Sequence, residues 1–106
     1  MRMTAALERV FRVFLDDLAA QRYGYDLMKA AGLPSGTLYP LLARLQARGL
    51  VASSWETPRQ DGERPRRYYH LTDEGIEVAR LELAQLSARR RRVPGRRVQP
   101  APADAP

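Results

Sequence analysis

Hydroxyl and guanidinium groups are the side chains of this sequence whose spacing suggests a chemical role. One group lies between the leucines of SGTLYPLLARLQARGL at residues 35–50: Ser35, Thr37, Tyr39 and Arg44. A second group surrounds an Asp-Gly turn signal further along the chain: Arg59, Arg64, Arg66 and Arg67. Such groups bind phosphate oxygens and the edges of bases, so nucleic-acid binding is the chemistry that they suggest.

The other chemistry-bearing residues argue against an enzyme. The sequence has no cysteine and His70 is its only histidine, so neither a thiolate nucleophile nor a His/Cys metal site is available. The acidic residues do not form a pair suited to general acid and base catalysis, and there is no glycine-rich phosphate loop. We therefore expect no enzymatic activity, no metal and no cofactor.

The positive charge is concentrated at the end of the chain. The formal charge is +6, yet residues 89–106 hold six arginines against one aspartate, a net of +5, which leaves +1 for residues 1–88. Nucleic-acid binding has to be argued from individual positions. The run RRRR at 89–92 either attracts DNA without sequence preference or is a solubilising extension, and the sequence leaves both interpretations open.

Length and hydropathy predict one small cytoplasmic domain with no membrane segment. A chain of 106 residues has room for one modest core, and domains of this size are often stabilised by a second subunit. No apolar run approaches the ~18 residues needed to span a bilayer, and the charged N-terminus does not resemble a signal peptide.

Hydrophobic periodicity predicts three helices in the first half of the chain. An apolar stripe predicts the first helix over residues 4–20, and YDLMKAAG predicts a short second helix that ends at Gly32. The leucines of residues 35–50 recur at i, i+3, i+4 and i+7, which predicts a third helix buried on one face.

A hairpin and a last helix are predicted to follow. Residues 50–57 and 66–72 are rich in strand-forming residues and flank a polar loop, which predicts a two-stranded antiparallel hairpin. Thr72 is a suitable N-cap for a helix that runs to about Arg90. This helix has two apolar stripes, so one of them either faces a second subunit or packs within the same chain.

This order is typical of a winged helix-turn-helix, and the fold class is mainly α with a two-stranded β-hairpin and a C-terminal dimerisation helix. We expect a DNA-binding domain over residues 1–72, the dimerisation helix over 73–92 and a disordered tail over 93–106. In this fold the second helix of the pair enters the major groove, with its N-terminal residues against base edges.

Pro40 constrains where the third helix begins. If Thr37 is the N-cap, Pro40 falls at the third helical position, where its missing N–H has no intrahelical partner. If Ser35 is the cap, one helical hydrogen bond is lost. We prefer Thr37 as the cap.

The segments GTLYPLLARL, GLVASSWE and RPRRYYHLTDEG, in this order and spacing, resemble the PadR family of bacterial transcriptional regulators. The resemblance covers about residues 7–82. It implies a winged-helix DNA-binding domain, a homodimer formed through the N- and C-terminal helices, and repression relieved by a small, hydrophobic effector. The dimer residues predicted on these helices are Leu7, Phe11, Phe14, Ile76, Ala79, Leu83 and Leu86.

For the aromatic residues near the two basic groups, the sequence leaves open whether each ring packs within the fold or contacts a ligand. Of Tyr23 and Tyr25, one ring is expected in the core, and Tyr25 is our candidate for a phosphate contact. Trp55 is either a packing anchor of the hairpin or part of an effector pocket, and the first interpretation is preferred.

A homodimeric repressor that binds a pseudo-palindromic operator in double-stranded DNA is therefore the leading hypothesis. The alternative is a winged-helix protein-interaction module without specific DNA binding, which the net charge of +1 over residues 1–88 keeps open. A small RNA-binding protein that uses the arginine tail ranks last.

Overall fold

Four helices and a three-stranded antiparallel sheet make up the protein in a computed structural model that describes residues 2–58 and 60–91. The elements are α1 (Ala5–Asp16), β1 (Arg22–Tyr23), α2 (Gly24–Ala31), α3 (Ser35–Ala47), β2 (Val51–Glu56), β3 (Arg66–Leu71) and α4 (Asp73–Arg91). The predicted succession of three helices, a hairpin and a last helix is confirmed. The predictions for Arg59, Arg92 and residues 93–106 lie outside the described residues.

The first helix begins at a side-chain cap and is shorter than its apolar stripe predicted. Thr4 Oγ1 accepts a hydrogen bond from Leu7 N at 3.1 Å. The helix ends at Asp16, so the predicted end at residue 20 was wrong. The carboxylate of Asp17 accepts a hydrogen bond from Ala19 N at 3.0 Å, and such a local bond competes with continuation of the helix.

The sheet has one strand more than predicted. β2 and β3 form the predicted hairpin, with Val51 opposite Leu71 at its base. The prediction of two strands was incomplete, because β1 pairs antiparallel with β3 and makes β3 the central strand. A strand of two residues is too short to show the alternation from which strands are predicted.

The core lies where the first three helices meet the base of the sheet. Its largest fully buried side chains belong to those helices: Val10, Phe11, Leu27, Leu38, Leu42 and Leu45. All four leucines of α3 are buried, as their spacing predicted. Their burial attaches one face of α3 to the protein and leaves the opposite face exposed.

Much of the predicted dimer surface is instead core of the single chain. Leu7, Phe11, Phe14 and Ala79 are each at most 2% exposed, so they have almost no surface left for a second chain. Assigning these four residues to the interface was therefore wrong, and the alternative of packing within one chain accounts for them. The other three predicted residues are half-buried and keep apolar surface: Ile76, Leu83 and Leu86.

A close junction joins the end of α3, both hairpin strands and the start of α4. Thr72 N donates to the Leu50 carbonyl at 3.0 Å, and the Thr72 hydroxyl donates to the Gly49 carbonyl at 2.6 Å. The same hydroxyl accepts from Gly75 N at 3.0 Å, as an N-cap does. A Cβ on Gly75 would overlap the Leu50 carbonyl, so only glycine allows this approach.

Gly75→Ala should lower the free energy of unfolding by about 2 kcal/mol or more, because the added methyl meets backbone that cannot move aside. Urea denaturation followed by circular dichroism measures the change. Gly36→Ala is the matched control, since a Cβ there meets no atom within 4 Å. Equal stability of the two variants would contradict the close junction.

Glu8 connects the two terminal helices. Its carboxylate accepts from both terminal nitrogens of Arg90 at 3.0 and 3.1 Å, and from Arg12 Nε at 3.0 Å. The Arg90 hydrogen bonds, followed by that of Arg12, lower the pKa of Glu8 below its ordinary value of 4.5. These contacts attach the last turn of α4 to α1.

The contribution of Glu8 to stability should depend on pH. Because its pKa is lowered in the folded protein, the contribution is fully present above the ordinary pKa of 4.5 and is lost as the pH falls through the folded value. Glu8→Gln should therefore be less stable than the parent at pH 7, and the difference should shrink below pH 4.5. Thermal denaturation across this range measures it, with Glu77→Gln on α4 as the control. A difference that stays constant down to acidic pH would contradict the assignment.

Candidate nucleic-acid interface

The outward face of α3 carries almost no side chain. Gly36, Pro40, Ala43 and Ala47 recur at spacings of four, three and four residues opposite the buried leucines, and all four are exposed. Small residues let a helix backbone approach a nucleic-acid groove closely. The sequence had indicated small residues such as Gly36 only at the start of α3, and the continuation of this face through Ala43 and Ala47 was missed.

The start of α3 differs from both predicted caps. The N-cap is Pro34, whose carbonyl accepts from the backbone N of Thr37 and of Leu38, both at 3.0 Å. The preference for Thr37 as the cap was therefore wrong, and so was Ser35. Pro40 is the sixth helical residue, so the helical hydrogen bond to the carbonyl four residues earlier is missing. The backbone of Pro34 is extended, with φ −72° and ψ 159°, and the cap has no side-chain hydrogen bond.

Tyr39 lies on one flank of α3, against the start of α2. Its side chain is 42% exposed. A Cβ on Gly24 would overlap the Tyr39 hydroxyl and lie 2.9 Å from two of its ring carbons. Gly24 thus forms the site on which the Tyr39 ring packs, with the ring positioned beside the outer face of α3.

The opposite flank of α3 carries Thr37, Arg44 and Arg48, which follow the helical repeat. The two arginines and Arg2 surround a cavity of about 250 Å³ between the start of α1 and the second half of α3. Buried leucines form its apolar floor. Arg44 and Tyr39, predicted to act together, therefore lie on different flanks. Arg48 was missed although it follows Arg44 by one turn, and only the fold brings Arg2 here.

The Arg66 guanidinium lies over an aromatic ring at the loop end of the hairpin strands. Its central carbon lies 3.7 Å from the centroid of the Tyr23 ring. The Tyr23 hydroxyl donates to the Glu56 carboxylate at 2.7 Å, and this hydrogen bond is the main reason that the pKa of Tyr23 is raised above 10.0. Stacking of this kind orders the guanidinium and leaves its N–H edges available.

Arg67 lies on the other sheet face, as strand alternation predicted. Its Nε donates to Ser53 Oγ at 3.0 Å, and a terminal nitrogen donates to Gln46 Oε1 at 3.5 Å. Gln46 also donates to Ser53 Oγ at 3.1 Å. Because Gln46 belongs to α3, these bonds join the hairpin to that helix, a role that no sequence pattern indicated.

The remaining candidates are surface residues. Tyr25 is 64% exposed with Lys29 Nζ 5.4 Å from its ring centroid, while the Tyr23 hydroxyl is used within the fold. Arg64 is exposed in the hairpin loop. Trp55 is 65% exposed, so the preferred interpretation of it as a packing anchor was wrong.

Residues 2–58 and 60–91 contain neither a group of metal ligands nor a membrane-spanning helix. Within these ranges no three or more histidine or acidic side chains are grouped so that they could hold a metal ion. None of the helices described there is long and apolar enough to cross a membrane.

A family model and two solved structures relate the chain to one family. The model of the transcriptional regulator PadR-like family matches residues 15–81. A PadR-like transcription factor from Bacteroides fragilis is 32% identical, with 79% of this chain and 84% of that chain covered and a TM-score of 0.57. A PadR family regulator from Clostridium difficile R20291 is 24% identical over 79% of this chain and 91% of that chain, with a TM-score of 0.64.

A more distant structure shares the fold. The PcaV transcriptional regulator from Streptomyces coelicolor, solved with its natural ligand, is 22% identical and has a TM-score of 0.68, with 91% of this chain and 64% of that chain covered. A search of curated protein sequences found no match.

The packing of Tyr39 on Gly24 can be tested by a double-mutant cycle. Gly24→Ala should lower the free energy of unfolding by about 1–2 kcal/mol, because the methyl displaces the ring. In a Tyr39→Ala background the same change should cost less than half as much, since the ring is gone. Denaturant unfolding of the four proteins measures the coupling. An equal cost in both backgrounds would show that Gly24 does not position Tyr39.

Proposed function

Because the chain belongs to the PadR-like family of transcriptional regulators, we propose that it is a homodimeric repressor that binds a specific operator in double-stranded DNA. The observation that carries the proposal is the geometry of α3. Its exposed face of Gly36, Pro40, Ala43 and Ala47 lies between flanks that carry donors. A helix of this shape suits close insertion into a major groove.

The flanks of α3 supply the sequence-reading contacts. Thr37 and Arg44 on one side and Tyr39 on the other reach toward base edges from the two walls of the groove. Ser35 and Gly36 begin the helix, where free backbone N–H groups bind a phosphate. The exposed face between the two flanks contacts the groove through its shape and through the methyl groups of Ala43 and Ala47.

The hairpin supplies contacts that position the protein without reading sequence. Arg66, ordered on Tyr23, presents its N–H groups to a phosphate, and Arg64 reaches the backbone from the loop. Arg67 contributes charge while it is bonded to α3. The exposed hydroxyl of Tyr25 is placed for a further phosphate.

Dimerisation uses the apolar surface that α4 retains. Leu81 is 56% exposed, and Ile76, Leu83 and Leu86 are half-buried. A two-fold dimer through this helix presents two copies of α3, so the operator is a pseudo-palindrome with half-sites about one helical turn apart.

An effector site is supported by the cavity beside α3. Three arginines around an apolar floor suit a small molecule with an apolar body and a negative charge. Occupation of this cavity neutralises Arg44 and so weakens operator binding. PcaV, which shares the fold, was solved with its natural ligand.

Two substitutions separate reading from positioning. Arg66→Ala should weaken binding to the chain's own upstream DNA and to a shuffled duplex alike, and should lower the salt slope by about one. Thr37→Ala should cost about 1 kcal/mol at the upstream DNA and little at the shuffled duplex. Fluorescence anisotropy at several salt concentrations measures both, with Arg80→Ala on α4 as the control.

The same titrations decide between the proposal and its alternative. The parent chain should prefer the upstream duplex, and a chain that ends after residue 91 should keep this preference. Equal binding to both duplexes that disappears on truncation would assign the affinity to the arginines that the truncation removes, Arg92, Arg96 and Arg97. The interaction-module hypothesis would then replace the repressor.

A further inference from the structure

We propose that Trp55 contacts DNA directly, by packing its indole ring on the sugar–phosphate strand that separates the groove occupied by α3 from the groove beside the hairpin. The proposal rests on the proposed DNA-binding function and adds to it a residue that neither the basic groups nor the recognition helix pointed to.

The side chain of Trp55 is unusually exposed for a tryptophan. It is the single tryptophan of the chain and 65% of it is exposed. Its indole N–H makes no hydrogen bond to any of the described residues. Tryptophan is usually highly buried and its N–H usually finds a partner, so a ring left in water is suited to burial on binding.

The register of the hairpin places this ring beside the recognition helix. Trp55 lies opposite Arg67, and Ser53, two residues before it on the same strand face, bonds to Gln46 of α3. Two residues of a strand span roughly 6.6 Å. Trp55 therefore lies just beyond the point where α3 touches the sheet, toward the loop end of the hairpin.

DNA geometry brings a backbone strand to this position. With α3 in the major groove, the hairpin that is bonded beside it reaches the neighbouring minor groove. The two grooves are separated by one sugar–phosphate strand, which must pass over the angle between α3 and the hairpin. On that face of the two strands, Trp55 and Arg67 are the side chains closest to the hairpin loop.

The charges on this face favour a polyanion as the occupant. The Arg67 guanidinium carbon lies 5.9 Å from the Trp55 ring centroid and is fixed by its bonds to Ser53 and Gln46. The one carboxylate on the two hairpin strands, Glu56, lies on the opposite face and accepts a hydrogen bond from Tyr23. An apolar ring beside a fixed cation matches the deoxyribose and the phosphate of one nucleotide.

The two contacts have different signatures. The indole ring covers the C–H face of a deoxyribose and its N–H donates to a phosphate oxygen, so neither contact reads sequence or releases a counterion. Arg67 neutralises a phosphate and so adds to the salt dependence. Trp55 thus sets how deeply the protein sits on DNA of any sequence.

The single tryptophan gives a direct test in the full-length protein. Acrylamide quenching of Trp55 emission is measured with and without an unlabelled duplex of the upstream sequence, while anisotropy of a labelled duplex measures binding independently. We expect the quenching constant to fall severalfold when the DNA is bound. Binding with an unchanged quenching constant would overturn the proposal and leave the proposed function intact.

Variants test the energetic role. Trp55→Ala should weaken binding to the upstream and shuffled duplexes by roughly tenfold each with an unchanged salt slope, and Trp55→Phe should have an intermediate effect. Arg67→Ala should lower the slope. Circular dichroism checks that each variant is folded, and a loss confined to the upstream duplex would overturn the backbone assignment.

Two other outcomes also decide against the proposal. If Trp55 emission changes with protein concentration in the absence of DNA, the ring is covered by a second copy of the chain. If the parent chain binds neither duplex by anisotropy, the proposed function fails and the assignment of Trp55 fails with it.

Discussion

The arrangement of this protein depends on one close approach, that of Gly75 to the Leu50 carbonyl. Around it the Thr72 hydroxyl joins the Gly49 carbonyl to the first turn of α4. The end of α3, the start of β2, the end of β3 and the start of α4 therefore meet within a few hydrogen bonds. The angle between α3 and the hairpin is set here and is fixed a second time by the hydrogen bond between Gln46 and Arg67.

Positions with a small side chain or none shape the candidate interface as much as the polar side chains do. Gly24 gives Tyr39 a surface to pack on, and Gly36 with its alanine neighbours leaves the outer face of α3 bare. The functional groups are consequently held at the edges, each ordered by a neighbour: Tyr39 on Gly24, Arg66 on Tyr23 and Arg67 on Gln46. Rigid placement reduces the entropy lost when these groups meet a ligand.

Periodicity predicted most of the fold because burial imposes it. The leucine spacing predicted α3 and the alternation of β3 predicted the hairpin, because one face of each element is buried. Local sequence failed where tertiary packing decides. β1 forms by pairing with the edge of β3, and the N-cap of α3 is Pro34 rather than a residue with a hydroxyl group. Arg44 and Tyr39 were predicted together from residue type, but their spacing around the helix places them on opposite flanks.

The bare strip along α3 has a consequence for how such a regulator acquires new targets. Its residues are exposed, so larger side chains at Ala43 and Ala47 should cost little in folding. With α3 in a major groove as proposed, an arginine or asparagine introduced there would meet base edges directly. Duplicated copies of the gene could thus diverge in operator preference through single substitutions, while the leucines beneath remained unchanged.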